Sequence, residues 1–224
     1  MMTAGPLPTV GVLGGTGPQG RGLGLRLALA GYAVVLGSRT PERAVDVAGC
    51  LHDEHGVDPD LLAGAANNEA AARDVVIVAV PFDGVRALLE PMGDLLAGTV
   101  VISCVNRLGF DADGPHPIPV EEGSAAELIA VLAPRARIVG AFHHVPAARL
   151  TGASIVEMDV LVTGDDDAAC AVACALADAL PGMRGVRAGP LRLTRPVEEL
   201  TAVVLAVNKR HRIAAGVRLA GLRD

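Results

Sequence analysis

The sequence has no tryptophan, one tyrosine and three phenylalanines in 224 residues, yet 51% of it is hydrophobic. Its core must therefore be built from alanine, valine and leucine, which suits a parallel sheet covered on both faces. Lysine occurs once, as Lys209, so the remaining basic side chains are arginines. The net charge of −6 runs against nucleic-acid binding, which calls for a basic surface. Cys50, Cys104, Cys170 and Cys174 form no CxxC pair, and no disulfide framework or zinc site is visible. The spacing of Cys170 and Cys174 is that of packing residues on one apolar helix face. No apolar run reaches the roughly 18 residues that span a bilayer, and no basic segment with a signal-length apolar run opens the chain. The expectation is a soluble, cytoplasmic protein without a membrane or nucleic-acid partner.

What is present is a recurrence of short aliphatic runs. They are TVGVLG (residues 9–14), AVVLGS (33–38), VVIVAVP (75–81), VVISCV (100–105), RIVGAFHHV (137–145) and DVLVTG (159–164). Each is rich in β-branched residues and bounded by turn residues, as buried strands are. The segments between them have helical spacing, with Leu23, Leu27 and Ala30 in the first and Val85, Leu88 and Leu89 in a later one. Ser124 followed by Glu127 is a capping-box signature. Alternating strand and helix implies an α/β fold, a doubly wound and mainly parallel Rossmann-type sheet. A helical pattern runs from Pro196 to about Ala220. The expected division is therefore a Rossmann-type domain over residues 1–188 and a small helical C-terminal lobe over 189–224. Residues 106–123 make a long connection with three prolines, either a binding loop or a surface excursion.

The densest motif is GGTGPQG, in which Gly15, Gly17 and Gly20 satisfy GxGxxG. The glycines follow an expected strand and precede an expected helix, as dinucleotide binding requires. In that reading Gly15 permits the tight turn, Gly17 admits the pyrophosphate and Gly20 lets helix and strand pack closely. Glycines that serve packing alone are the alternative. An NAD site places Asp or Glu at the end of the second strand, to take the ribose 2′-hydroxyl. Here that place holds Ser38, Arg39 and Thr40, with Arg43 one turn later. A guanidinium donates charge-assisted bonds to a 2′-phosphate. Each such bond contributes roughly 1.5–3 kcal/mol. NADP(H) is thus the expected cofactor, against the alternative of arginines that merely sit on the surface.

Candidates for proton or metal chemistry are few. His143 and His144 stand together with no third ligand close in sequence, and GDDD (164–167) reads as a helix N-terminus whose acids cap amides. No metal site and no catalytic acid, base or nucleophile is expected. Direct hydride transfer between two bound rings needs none of these, only a dry cleft that holds the rings face to face. Val80 with Pro81, and Val145 with Pro146 and Ala147, suit such a slot and equally suit ordinary turn packing.

Four motifs taken together, LGGTGPQGRGLGLRLALAGYAVVLGSRTPERA, FHHVPAAR, VTGDDD and AGPL, resemble the F420-dependent NADP oxidoreductase family over nearly the whole chain. The closing NKRHRIAAGVRLAGL is similar to the actinobacterial form. The resemblance implies an NADPH-dependent F420 reductase, which moves a hydride reversibly between nicotinamide carbon 4 and deazaflavin carbon 5. It implies that Thr16, Gly17, Pro18 and Gln19 hold the pyrophosphate. Ser38, Arg39 and Thr40 then hold the 2′-phosphate, with Arg43 added. Val80 and Pro81 would lie beside the nicotinamide, and His143, Val145, Pro146 and Ala147 would line the slot between the rings. The C-terminal lobe closes the other side, and a homodimer is expected. F420 carries a phosphate and an oligoglutamate tail, for which some of the cluster Lys209, Arg210, His211 and Arg212 form a candidate anchor; a solvated helix face is the other reading. The chain departs from the family at Arg192 to Arg195, where other members carry small polar residues. Competing functions are another small NADP-dependent imine or carbonyl reductase, and an NADP-binding redox sensor without turnover.

Overall fold

The computed structural model describes residues 6–152 and 155–222. Ten strands and eight α-helices are found among them. The first half runs β1 (Val10–Leu13), α1 (Pro18–Leu29), β2 (Val34–Ser38), α2 (Pro41–His55), β3 (Leu62–Ala66), α3 (Asn67–Ala71), β4 (Val75–Val78), α4 (Val85–Leu89) and β5 (Val100–Ser103). The second half runs β6 (Leu108–Phe110), β7 (Pro115–Pro117), α5 (Ala125–Leu132), β8 (Arg137–Gly140), α6 (Ala147–Leu150), β9 (Met158–Gly164), α7 (Asp167–Asp178), β10 (Met183–Gly189) and α8 (Thr194–His211).

Eight strands form one sheet in the order β10-β9-β8-β5-β4-β1-β2-β3. From β3 to β8 every pairing is parallel, while β9 meets β8 antiparallel and pairs parallel with β10. The six parallel strands have the doubly wound Rossmann order, whose reversal falls between β1 and β4. Successive residues of the central strands enter opposite cores. Val75, Ile77, Val100 and Ile102 pack with α1 and α7 on one face. Val76, Val78 and Val101 pack with α4 and α5 on the other. Burial on both faces explains why these strands read as unbroken aliphatic runs.

Several local readings need correction. The run at 137–145 is strand only through Gly140, because Phe142 turns into the left-handed region at φ 63°. The connection at 106–123 contains an antiparallel hairpin, β6 on β7. Strands β3 and β10 carry no signal strong enough to be read from sequence. The last helix starts at Thr194 and stops at His211, where Arg212 is left-handed at φ 55°, well short of Ala220. Beyond it the chain folds back: Asn208 bonds both polar groups of Ala215, and the Leu219 amide donates to Asp159 at 2.7 Å. Both capping motifs take the expected form. Ser124 accepts from the Glu127 amide at 3.0 Å, and Asp166 accepts from the Ala169 amide at 2.8 Å. Cys170 lies in the core with Cys174 packed against it.

Candidate functional site

The loop between β1 and α1 turns at Gly14, whose φ is 76°. The sequence reading assigned that turn to Gly15, which instead gives β2 room: a Cβ there would stand 2.8 Å from the Leu36 Cα. Gly20 also serves close packing, since a Cβ on it would meet the Gly14 carbonyl oxygen at 2.7 Å. Gly17 is the N-cap of α1, with no side-chain cap and no acidic residue in the first turn. Its amides and dipole are thus left to an anion.

A cleft of about 560 Å³ opens beside this loop, at the carboxyl edge of the sheet where the strand order reverses. Thr16 and Gly17 form its floor, and Ser38, Arg39, Thr40 and Arg43 close one end. Val80 and Pro81 stand on the opposite wall with the apolar side chains of Leu88 and Met92. Ser38 is buried at the end of β2, and its hydroxyl accepts from the Thr40 amide at 3.1 Å. Arg39 and Arg43 are exposed around the N-terminus of α2. The structure therefore gathers two guanidiniums, two hydroxyls and a helix start at one place.

Pro18 and Gln19 lie further along, in a compartment of about 310 Å³ that still includes Gly17, Val80 and Pro81. Through Gln19, Cys104, Asn106 and Ala147 this space continues into a third, of about 250 Å³. His143, Val145, Pro146 and Ala147 wall that third space on one side, and Thr201, Val204 and Leu205 of α8 face them. Apart from Gly15 and Gly20, every residue expected to hold the nucleotide or line the slot lines one of three compartments that share walls.

The slot between the last two compartments is held without net charge. His143 is buried with both ring nitrogens lacking a hydrogen-bond partner among the described residues. Burial, reinforced by His144, pushes it down to about 3, so the ring is neutral at ordinary pH. His144 is lowered by burial as well, and its Nε2 lies 2.7 Å from the Val197 carbonyl oxygen. The Cys104 thiol is pushed up to about 12 by burial, and it donates to the Val78 carbonyl at 3.2 Å. It is no thiolate nucleophile.

Two asparagines escaped the sequence reading. Asn67 follows β3, lines the large cleft and accepts from the Gly14 amide at 3.4 Å. Asn106 donates to the His143 carbonyl at 3.0 Å and accepts from the Thr201 hydroxyl at 2.9 Å. It joins the two walls of the third compartment. Only the AANNEAA segment gave a local hint of Asn67, and nothing in the sequence pairs Asn106 with partners 37 and 95 residues away.

Arg26 supplies a further tie. This buried α1 side chain donates to the carbonyls of Leu150 at 2.7 Å, Arg149 at 3.1 Å and Gly152 at 2.5 Å. Its partners end the short helix that begins at Ala147. Gln19 reaches the same region, donating to the Phe142 carbonyl at 3.3 Å.

Comparison with known proteins gives a consistent picture. A family model described as NADP oxidoreductase, coenzyme F420-dependent, matches residues 9–107. An F420-dependent NADP reductase of Methanothermobacter thermautotrophicus is 35% identical over 222 residues, covering 96% of each chain. Its namesake in Methanocaldococcus jannaschii is 31% identical over 222 residues, covering 95% of this chain and 98% of the other. A crystal structure from Arthrobacter sp. FB24, provisionally named an F420-dependent NADP reductase, superposes with a TM-score of 0.81. It is 26% identical and covers 95% of this chain and 99% of its own.

Proposed function

We propose that this chain, which belongs to the family of coenzyme F420-dependent NADP oxidoreductases, transfers a hydride reversibly between NADP(H) and F420. The observation that carries the reading is the succession of compartments with shared walls, from the Arg39–Arg43 end, past Gly17 and Gln19, to the His143–Ala147 wall. That layout suits two ring systems meeting in the middle.

The residues fit NADP(H) closely. Ser38, Arg39, Thr40 and Arg43 offer hydroxyl and guanidinium donors to the 2′-phosphate, and Thr16, Gly17, Pro18 and Gln19 offer the uncapped start of α1 to the pyrophosphate. Val80 and Pro81 then flank the nicotinamide. On the far side His143, Val145, Pro146 and Ala147 present an uncharged wall. F420 bound there supplies a ring that takes or returns a hydride at its carbon 5. The chain's part is to orient both rings and exclude water, with no residue forming a covalent bond. Residues 1–188 would form the NADP-binding domain and 189–224 the lobe that closes on F420. We also assign the protein to the cytoplasm as a homodimer.

The test is to mix the protein with NADPH and F420 and follow the visible deazaflavin band, with NADH in parallel. Loss of the band with NADPH, far faster than with NADH, is expected; an unchanged band would overturn the proposal.

The last turn of α8 and the residue after it place Lys209, Arg210 and Arg212 in solvent, directly after Asn208 at the third compartment. They suit the anionic tail of F420. Each exposed ion pair contributes up to about 1 kcal/mol, so neutralising all three is expected to raise the Michaelis constant for F420 by about fivefold or more. That for NADPH should hold, and added salt should narrow the difference. Equal effects on both constants would assign these residues to a solvated helix face.

A further inference from the structure

Arg107 is the largest side chain among the most deeply buried residues, and it sits in the sequence between two residues that line the third compartment, Asn106 and Leu108. Its guanidinium points away from that compartment into a cluster of its own. The Nε lies 3.2 Å from Glu198 Oε2, an ion-pair approach rather than an aligned hydrogen bond. One terminal nitrogen donates to Glu199 at 2.6 Å, and the other to the Ile118 carbonyl at 2.5 Å. Glu198 is fully buried and accepts from the Ala125 amide at 2.9 Å and the Ala126 amide at 3.3 Å. The hairpin, the start of α5 and the first turns of α8 are thereby fixed to one another.

This cluster lies directly behind the pocket wall. Val197, next to Glu198, is bonded by His144, and Thr201, one turn on, is bonded by Asn106. The two segments around Asn106 and His144 that bound the third compartment are therefore tied to the turn of α8 that carries Glu198. Burying two charges costs more in desolvation than a packed apolar pair of the same size, so stability alone does not account for this arrangement. A fixed geometry does.

We propose that Arg107 and Glu198 are positioning residues that set the separation between loop 106–108 and α8, and with it the fit of the second substrate. The proposal rests on the third compartment being the F420 side. Neither residue touches the ligand. Their effect passes through Asn106, Leu108, Thr201 and Val204, and it leaves the NADP(H) end, walled by other elements, as it is.

Replacing Arg107 alone would strand the Glu198 carboxyl, which burial already pushes up to about 7. The informative variant is therefore Arg107→Met with Glu198→Gln, which removes both charges at similar volume. Arg107→Lys, which keeps the charge and loses the fork, serves as the milder second variant should the double one fail to fold. The readouts are equilibrium binding of F420 and of NADPH separately, by ligand fluorescence, and amide hydrogen exchange across residues 106–118 and 197–205. A loss of about 1.4 kcal/mol in the fit of a ligand is tenfold in affinity. The double variant is expected to bind F420 about tenfold or more weakly and NADPH within about twofold of wild type, with Arg107→Lys between. Exchange should quicken in both segments. F420 affinity that survives the double variant, or NADPH affinity that falls equally with it, would overturn the inference while leaving the proposed function standing. Failure of the wild type to bind F420 would remove the proposed function and this inference with it.

Discussion

Arg39→Glu is expected to lower the preference for NADPH over NADH, measured as a ratio of kcat/KM values, by about 100-fold or more. Two effects act in the same direction. The guanidinium at the rim of the large cleft is lost, and with it charge-assisted donors worth about 1.5–3 kcal/mol apiece to a 2′-phosphate. The new carboxylate repels that phosphate and offers an acceptor to the two ribose hydroxyls of NADH. Arg43, Ser38 and Thr40 remain, so binding of NADPH weakens without vanishing. Steady-state kinetics with both nucleotides at fixed F420 give the ratio directly. An unchanged ratio would move the phosphate pocket away from the end of β2.

Gly14→Ala is expected to be nearly as damaging, for a backbone reason. A left-handed φ costs an alanine about 1–2 kcal/mol. The added Cβ would also sit 2.6 Å from the Val80 Cγ1 and 2.9 Å from the Ala79 carbonyl oxygen. The loop has to shift where it meets the Val80 wall of the large cleft. The melting temperature should fall by several degrees, at about 2–4 °C for each kcal/mol in a chain of this size. NADPH binding should weaken by about five- to thirtyfold, as one or two lost kcal/mol of loop geometry implies. Gly49→Ala, in α2 where no atom lies within 4 Å of the new Cβ, is the matched control and should be neutral or slightly stabilising. A Gly14→Ala protein that melts and binds like the wild type would contradict this account of the turn.

Sequence reading succeeded where the signal is local. β1, α1 and β2 were legible because a strand that is apolar throughout, a glycine loop and a helix of regular spacing follow one another without interruption. The gathering of Ser38, Arg39, Thr40 and Arg43 at one end of the large cleft was legible for the same reason, since they lie within six residues. β3 was not, because Leu62–Ala66 reads LAGAA, with no β-branched side chain, and it is the sheet's edge. The hairpin was hidden by Pro115 and Pro117, which argue against a strand unless it is short and at an edge. The helix stop at His211 was hidden because the following Ile213, Ala214 and Ala215 carry helix-compatible side chains. What ends the helix is Asn208, which reaches forward to bond Ala215. The walls of the third compartment were legible on one side only. FHHVPAAR is a compact motif, whereas Asn106, Thr201 and the Arg107 cluster meet only after the chain has folded.

The tie from Arg26 to the end of α6 has a mechanical meaning. One end of α1 meets the glycine loop, and about two turns along Arg26 grips the turn that closes the second wall. The close fit of Gly22 to Leu150, where a Cβ would stand 2.4 Å away, leaves no play between the two helices. The helix thus joins the glycine loop at one end of the cleft to the wall at the other, and neither can shift without straining the Arg26 bonds or the Gly22–Leu150 contact.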